Sequence, residues 1–296
     1  MSGSAGNPRP LDSDWLRANP LTVPPNDVDK NGRGRVLAVG GSRIVPGGIR
    51  LTVEAALRAG AGKVQVATIE SAALALGVAM PEVAVFGMPE NAKGDISARA
   101  AAALGDLVSH CDAVIAGPAM AGATSAARLV ASLLKVPDTC VVLDAAALIQ
   151  LQRHAAALRR RRSPAVLTPH IGEMGAMINR PVADIEQDRA AAVRGAAEQF
   201  GAVCLLKGPT TLIAGPAGEL FAYAGGGIGL ATGGSGDVMA GLVAGLCAQG
   251  NEPLNSALWA VWLHGEAGRR CAEQLGPIGF LARELLAHVP ALMRGV

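Results

Sequence analysis

Arg35-Val36-Leu37-Ala38-Val39-Gly40-Gly41-Ser42 is a short apolar run that ends on glycine. A helical pattern follows from about Ile49 to Ala59, Gly60-Ala61-Gly62 stops it, and a second apolar run extends from Lys63 to Thr68. Strand, helix and strand in that order make a crossover unit. Strands covered by helices on both faces read as brief apolar runs rather than alternations, as these do. The unit recurs, with strands expected near 83–86, 113–116, 140–143, 165–167 and 203–206, separated by helical segments near 97–109, 123–135, 145–158 and 183–199. Thr211 to Ile213 and Leu220 to Tyr223 read as a hairpin turned by Gly215-Pro216-Ala217-Gly218, and helices at about 235–249, 254–274 and 279–288 close the chain. The fold class is α/β in three layers, with a central, mostly parallel sheet between helices.

Residues 33–296 suffice for one large domain of this kind. Residues 1–32 are polar, and Pro20 and Pro24-Pro25 oppose a regular opening element, so this stretch reads as a tail or surface arm. A net charge of +2 provides no broad field for nucleic acid or an acidic membrane, and one Tyr with four Phe offers little for single strands to stack on. The basic run Arg159 to Arg162 reads as the solvated end of a helix. Five cysteines show no close pair, and Cys111, Cys140 and Cys204 lie in or beside strand-like runs, which suggests small buried thiols in a reducing cytoplasm and no metal cluster. No basic-then-apolar leader opens the chain, and the uncharged stretch Leu220 to Gly236 is short and glycine-rich, so no membrane span is expected. The pair Gly241 and Gly245 reads as a close helix-packing device.

Ligands of such sheets collect beyond the carboxyl ends of the strands, where Gly40-Gly41-Ser42, Gly117-Pro118, Asp144, Thr168-Pro169-His170 and Lys207-Gly208 all fall. Gly40-Gly41-Ser42 has neither dinucleotide nor Walker spacing, so a turn or substrate-side role stands ahead of pyrophosphate binding. Thr232-Gly233-Gly234-Ser235-Gly236-Asp237 sits at the mouth of an apolar helix, whose first N–H groups lack internal partners and favour an anion. Gly234, Ser235 and Gly236 form the candidate anion hole. Asp237 is either a plain helix cap or a general base beside that hole. The stretch Gly225 to Gly236, in which six glycines precede the last, favours the base, because each glycine costs about 1 kcal/mol of order relative to alanine. His170 with Glu173 can bind a polar ring or phosphate, or can simply cap a turn. Lys207 with Thr210 and Thr211 suits a nucleotide, and lysine equally serves solubility. Asp144 is a cap or a ligand to a hydroxyl or a magnesium water. His264, Trp259 and Trp262 read as core.

Together these residues resemble the ADP-dependent NAD(P)H-hydrate dehydratase family, the carbohydrate-kinase-like proteins of the ribokinase superfamily. The resemblance runs from about Arg35 to Pro290. It rests on Val39-Gly40-Gly41-Ser42, Ala55 to Gly62, Pro81-Glu82-Val83, Leu167-Thr168-Pro169-His170-Ile171-Gly172-Glu173-Met174, Lys207-Gly208-Pro209-Thr210-Thr211 and Ala231 to Asp237. It implies a ribokinase-like fold and the conversion of (6S)-NADHX or (6S)-NADPHX to NADH or NADPH, with ADP consumed and AMP and phosphate released. By motif position, Gly48, Gly117, His170 and Asp237 would face the hydrate, Asp237 being the catalytic base. Lys207, Gly208, Pro209, Thr210, Thr211 and Gly236 would contact the adenine nucleotide. Mg2+ would be bound largely by phosphates and water, with no protein metal cage, and ATP is a possible alternative to ADP. Homo-oligomerisation belongs to the same implication.

The chain departs from the family pattern at several places. Gly48 stands for the usual alanine, Ala119 lies in a turn that is usually Gly-Pro-Gly, Ala146 replaces a second acid, and Gly227-Ile228 replaces Asn-Pro. Many relatives carry a preceding epimerase domain. The 34 residues before the matched span are too few for one, so a separate epimerase is expected as a pathway partner. Two other functions stay open on the sequence: a kinase of a vitamin precursor or sugar-like alcohol, and a non-catalytic nucleotide-binding or assembly protein.

Overall fold

Val36 to Val39 pair on both sides in parallel, with Val36 opposite Val64 on one flank and Ala113 on the other. The computed structural model describes residues 7–22, 24–25 and 27–296. Its strands are β1 (Arg9–Pro10), β2 (Arg35–Val39), β3 (Lys63–Ile69), β4 (Ala84–Met88), β5 (Ala113–Ala116), β6 (Cys140–Leu143), β7 (Val166–Leu167), β8 (Val203–Leu206), β9 (Thr211–Ala214) and β10 (Leu220–Tyr223). They form one sheet in the order β1-β10-β9-β8-β7-β6-β5-β2-β3-β4. From β4 to β8 every neighbouring pair is parallel, whereas β8, β9 and β10 are antiparallel.

Alternation along the central strands divides the core in two. Val36, Ala38, Val64, Val66 and Ile115 point into one buried cluster, and Leu37, Val39, Ala67, Ile69 and Val114 into the other. Each cluster is capped by helices, which gives the expected three layers. On one face the Gly48–Arg58 helix crosses the Ser235–Ala248 helix at close range. A Cβ on Gly241 would stand 2.2 Å from the Thr52 carbonyl oxygen, and one on Gly245 would stand 2.6 Å from that of Ala56. Larger residues at either position would push the helices apart, and the loop ahead of Asp237 would move with them.

Several elements differ from the sequence reading. The Glu70–Ala79 and Ile171–Ile178 helices are additional. The helix expected over 145–158 is two 3-10 turns, Ala145–Leu148 and Leu151–His154, and a short helix Ala155–Arg159, because Ala145 (φ +47°) and Gln150 (φ +65°) take left-handed backbone angles. The segment near 183–199 divides at Asp188, whose carboxylate accepts the Ala191 amide and starts a new helix. The last helix is Ala282–Leu285 followed by Val289–Arg294. Ahead of β2, where prolines argue against regular structure, β1 pairs with β10 and a Ser13–Ala18 helix buries Leu16. Trp15 meets Phe221 edge to face at 5.3 Å, and the Trp259 indole donates to the Asn19 carbonyl at 2.8 Å. Within the basic run, Arg161 is buried rather than solvated, because its guanidinium donates to the carbonyls of Leu134, Val136, Pro137 and Thr139. All five cysteines are free and buried. Among the described residues no helix is long and apolar enough to cross a membrane.

Candidate active site

The carboxyl ends of β5 to β8 converge with the start of the Ser235–Ala248 helix, and Lys207, the residue after β8, is their meeting point. Its Nζ donates to Asp144 Oδ1 at 3.0 Å and lies 3.7 Å from Glu173 Oε2. A Cβ on Gly236 would come within 3.2 Å of the same nitrogen. Burial lowers the pKa of this lysine, but the carboxylates of Asp144, Glu173 and Asp237 outweigh that effect and hold it above the ordinary value. Asp144 does not cap the turn that follows it. Its Oδ1 instead accepts the buried Thr168 hydroxyl at 2.6 Å as well as the lysine. One ammonium therefore faces three carboxylates in a largely dry place, an arrangement typical of reacting sites.

Asp237 lies in the first turn of its helix. Burial pushes its carboxyl up to about 7, with Asp144 adding to the rise, Lys207 pulling it down and Glu173 adding again. A group of that pKa can accept a proton near neutral pH and hold it. Ahead of it, Gly234 adopts φ +87°, which calls for glycine, and a Cβ there would stand 2.4 Å from Leu51 Cδ1 and make that side chain shift. Among the described residues the amides of Gly234, Gly236 and Asp237 make no intramolecular hydrogen bond, while the Ser235 amide donates to the Thr232 carbonyl at 3.3 Å. An anion at this turn would thus find the amides on either side of Ser235. The Ser235 side chain points inward, its Oγ 2.9 Å from His264 Nε2, which is also 3.0 Å from the Ser235 carbonyl oxygen. Burial drives His264 down to about 4, so the ring is neutral and ties the turn to the Pro253–Leu275 helix. Its sequence position on an apolar helix gave no sign of that tie.

His170 is the cap of the Ile171–Ile178 helix. Its Nδ1 accepts the amides of Gly172 and Glu173 at 3.0 and 3.3 Å, and Glu173 Oε2 accepts the His170 amide at 2.8 Å in return. The cap fixes the Nδ1 edge of an exposed ring, and its Nε2 lies 3.5 Å from Glu173 Oε1. Gly117 (φ +114°) follows β5, where a Cβ would stand 1.8 Å from the Asp144 carbonyl oxygen. Gly48 opens its helix beside Ala119, the Cβ of which would be 2.7 Å from a Cβ on Gly48. The turn Gly40-Gly41 is spent on structure: both amides donate to carbonyls, of Ala67 and Pro118, and a Cβ on Gly40 would stand 2.2 Å from the Pro118 carbonyl oxygen.

Gly208, Pro209 and Thr210 form the open turn between β8 and β9, and the Thr211 hydroxyl donates to the Gly208 carbonyl at 3.4 Å. Arg189, which the sequence did not single out, donates to the carbonyls of Leu206 and Lys207 at 3.3 and 3.4 Å and braces this turn from behind. Asp95 is also new. It is buried and accepts the Ala121 amide at 2.9 Å, holding the loop that carries Ala119.

The sequence model of the family described as NAD(P)H-hydrate dehydratase, of the carbohydrate-kinase type, matches residues 36–291. The ADP-dependent (S)-NAD(P)H-hydrate dehydratase of Xanthomonas campestris pv. campestris is 45% identical over 278 residues, covering 94% of this chain and 93% of the relative. The bifunctional NAD(P)H-hydrate repair enzyme of Moorella thermoacetica is 36% identical over 98% of this chain, which spans 54% of that longer protein. Among solved structures, the ADP/ATP-dependent NAD(P)H-hydrate dehydratase of Bacillus subtilis, co-crystallised with ATP and Mg2+, superimposes with a TM-score of 0.81 at 27% identity, covering 97% of this chain and 98% of the other. A match across nearly the whole sheet and its carboxyl rim leaves one assignment: the chain belongs to the NAD(P)H-hydrate dehydratase family, on the ribokinase-like fold.

Proposed function

We propose that this protein dehydrates (6S)-NADHX or (6S)-NADPHX to the reduced dinucleotide at the expense of ADP, in the cytoplasm and as a homo-oligomer, with a separate epimerase converting the other epimer to the 6S form. The observation that carries the reading is the Asp237 carboxylate, poised near 7 beside free amides and within the field of Lys207. Asp237 takes the proton of the ring hydroxyl, and the oxygen attacks the terminal phosphate of ADP. The bond from that phosphorus to the bridging oxygen breaks, and AMP leaves. The ring now carries phosphate in place of hydroxyl, a far better leaving group. The lone pair of the ring nitrogen expels it, and loss of a proton from the neighbouring carbon restores the double bond. The amides at Gly234 and Gly236 and the ammonium of Lys207 stabilise the charge that grows on the transferring phosphoryl group. Gly48, Gly117 and His170 line the hydrate side. Lys207, Gly208, Pro209, Thr210 and Thr211 line the nucleotide side.

Among the described residues no three His, Cys, Asp or Glu side chains form a cage for a metal. Asp144 Oδ1 and Glu173 Oε2 already face the Lys207 ammonium, so Mg2+ would be held largely by nucleotide phosphates and by its own waters. When bound, it supplies charge neutralisation for the approaching anions.

The test is to mix the protein with (6S)-NADPHX, Mg2+ and either ADP or ATP, and to follow near-ultraviolet absorbance and nucleotide products. Recovery of absorbance with AMP and phosphate formed from ADP is expected. A phosphorylated alcohol without recovery would identify a kinase instead.

A further inference from the structure

The substrate has two ends, and the residues above hold only the nicotinamide end. The carboxyl rim continues past them. From Asp144 after β6 it passes Gly117 after β5 and Gly40-Gly41 after β2, and reaches Ile69 at the end of β3, following the sheet order β6-β5-β2-β3. Three strand steps of roughly 4.8 Å cover about 14 Å, a distance on the scale of a dinucleotide laid along the rim. At the far end lies a cleft of about 440 Å³ between the loop that precedes the Gly48–Arg58 helix and the Glu70–Ala79 helix.

The floor of this cleft is alkyl, made by Ile69, Ala72, Ala75 and Leu76, and its walls carry Arg43 and Arg50. Small flat alkyl groups suit the face of a purine, and a guanidinium fork suits a phosphate. The two arginines differ in commitment. Arg43 is paired with Glu90 at 2.7 Å, and the other oxygen of that carboxylate accepts the Ser71 amide at 2.9 Å. Arg50 has no ion pair and no side-chain hydrogen bond among the described residues, because the acid one turn along its helix, Glu54, pairs with Arg58 at 3.6 Å. With Glu90 neutralised by Arg43, the cleft carries one uncompensated positive charge. That charge is next to the reaction centre in the chain, since Leu51, the following residue, packs against the Gly234 turn.

We infer that this cleft receives the adenosine half of the dinucleotide hydrate, with adenine on the Ile69-Ala72-Ala75-Leu76 floor and the ribose 2′-phosphate on Arg50, so that the protein prefers NADPHX to NADHX. The inference rests on the dehydratase reading of the same site and adds a specificity residue to it.

The test compares the full chain with its R50A and R50K variants. Two quantities are measured: kcat/KM for (6S)-NADPHX and (6S)-NADHX with saturating ADP and Mg2+, and the Kd values of NADPH and NADH. R50A is expected to lower the NADPHX-to-NADHX ratio of kcat/KM about tenfold, through KM, with R50K keeping part of the preference. The NADPH-to-NADH affinity ratio falls in parallel. Ratios unchanged in both measurements overturn the inference. If neither hydrate is turned over by the unmodified protein, the dehydratase reading fails on its own. The NADPH-to-NADH affinity ratio still decides the cleft, in favour if R50A lowers it and against if it does not. A change in sedimentation on R50A with no change in either ratio would assign the cleft to a second copy of the chain, and would also overturn it.

Discussion

Replacing Gly48 with alanine places a new methyl group 2.7 Å from the Ala119 Cβ and 2.9 Å from Val45 Cγ1. Carbon atoms prefer separations of about 3.5–4.0 Å, so the overlap is close to 1 Å. Overpacking of that order costs about 1–3 kcal/mol, and the better helix propensity of alanine returns less than about 1 kcal/mol at a first helical position. G48A is therefore expected to lose roughly 1–2 kcal/mol. Ala119 stands at φ +57°, where a side chain is itself strained by roughly 1–2 kcal/mol. A119G relieves that strain and gives back part of the gain through a freer unfolded chain, ending within about 1 kcal/mol of the parent. Combined, the two changes move one methyl group across the same contact, so the double variant regains the parent's stability and the pair couples by about 1–3 kcal/mol. Urea unfolding of the four proteins measures this, read as midpoint shifts at constant slope. On the proposed placement of Gly48 at the hydrate, KM for the hydrate should rise in G48A and recover in the double variant. A stable G48A, or effects that simply add, would refute the reasoning. Two of the chain's departures from its family's pattern are then one compensated exchange.

Two further outcomes follow from the charges around Asp237. With the ionised carboxylate as the proposed active form and its pKa raised to about 7, kcat/KM for the hydrate is expected to rise with pH, close to tenfold per unit at acid pH, and to level off above about 7. A profile flat from pH 5 to 8 would remove Asp237 from the proton transfer. K207M removes the cation that lowers the Asp237 pKa, so the same limb moves to higher pH while KM for ADP increases; a limb that stays in place would show that the lysine does not act on the base.

The central strands were legible because a strand covered on both faces has few ways to be written: Val36 to Val39, Ala113 to Ala116 and Cys140 to Leu143 are unbroken apolar runs ended by glycine or acid. The Glu70–Ala79 helix was not, since its outer face carries Leu74 and Val78, 82% and 77% exposed, which erases the polar stripe that marks a surface helix. The Ile171–Ile178 helix was hidden by its cap, a histidine where serine, threonine, aspartate or asparagine is usual. In the site, the glycine pattern before Asp237 could be read locally because a left-handed turn demands glycine at Gly234. The roles of Asp144 and Lys207 could not. Either reads as a cap or a solubilising charge until the fold brings β6 and β8 together, and the same holds for Arg189 behind the turn from β8 to β9 and for the contact of Gly48 with Ala119.

Substitution of Asp237 by asparagine changes one oxygen to nitrogen and removes the proposed base while keeping the shape of the turn. With (6S)-NADPHX, ADP and Mg2+ at saturation, D237N is expected to bind ADP nearly as the parent does and to recover reduced-nicotinamide absorbance about a hundredfold to ten-thousandfold more slowly. Turnover by D237N within a fewfold of the parent, with AMP and phosphate still formed, would mean that the hydroxyl gives up its proton elsewhere.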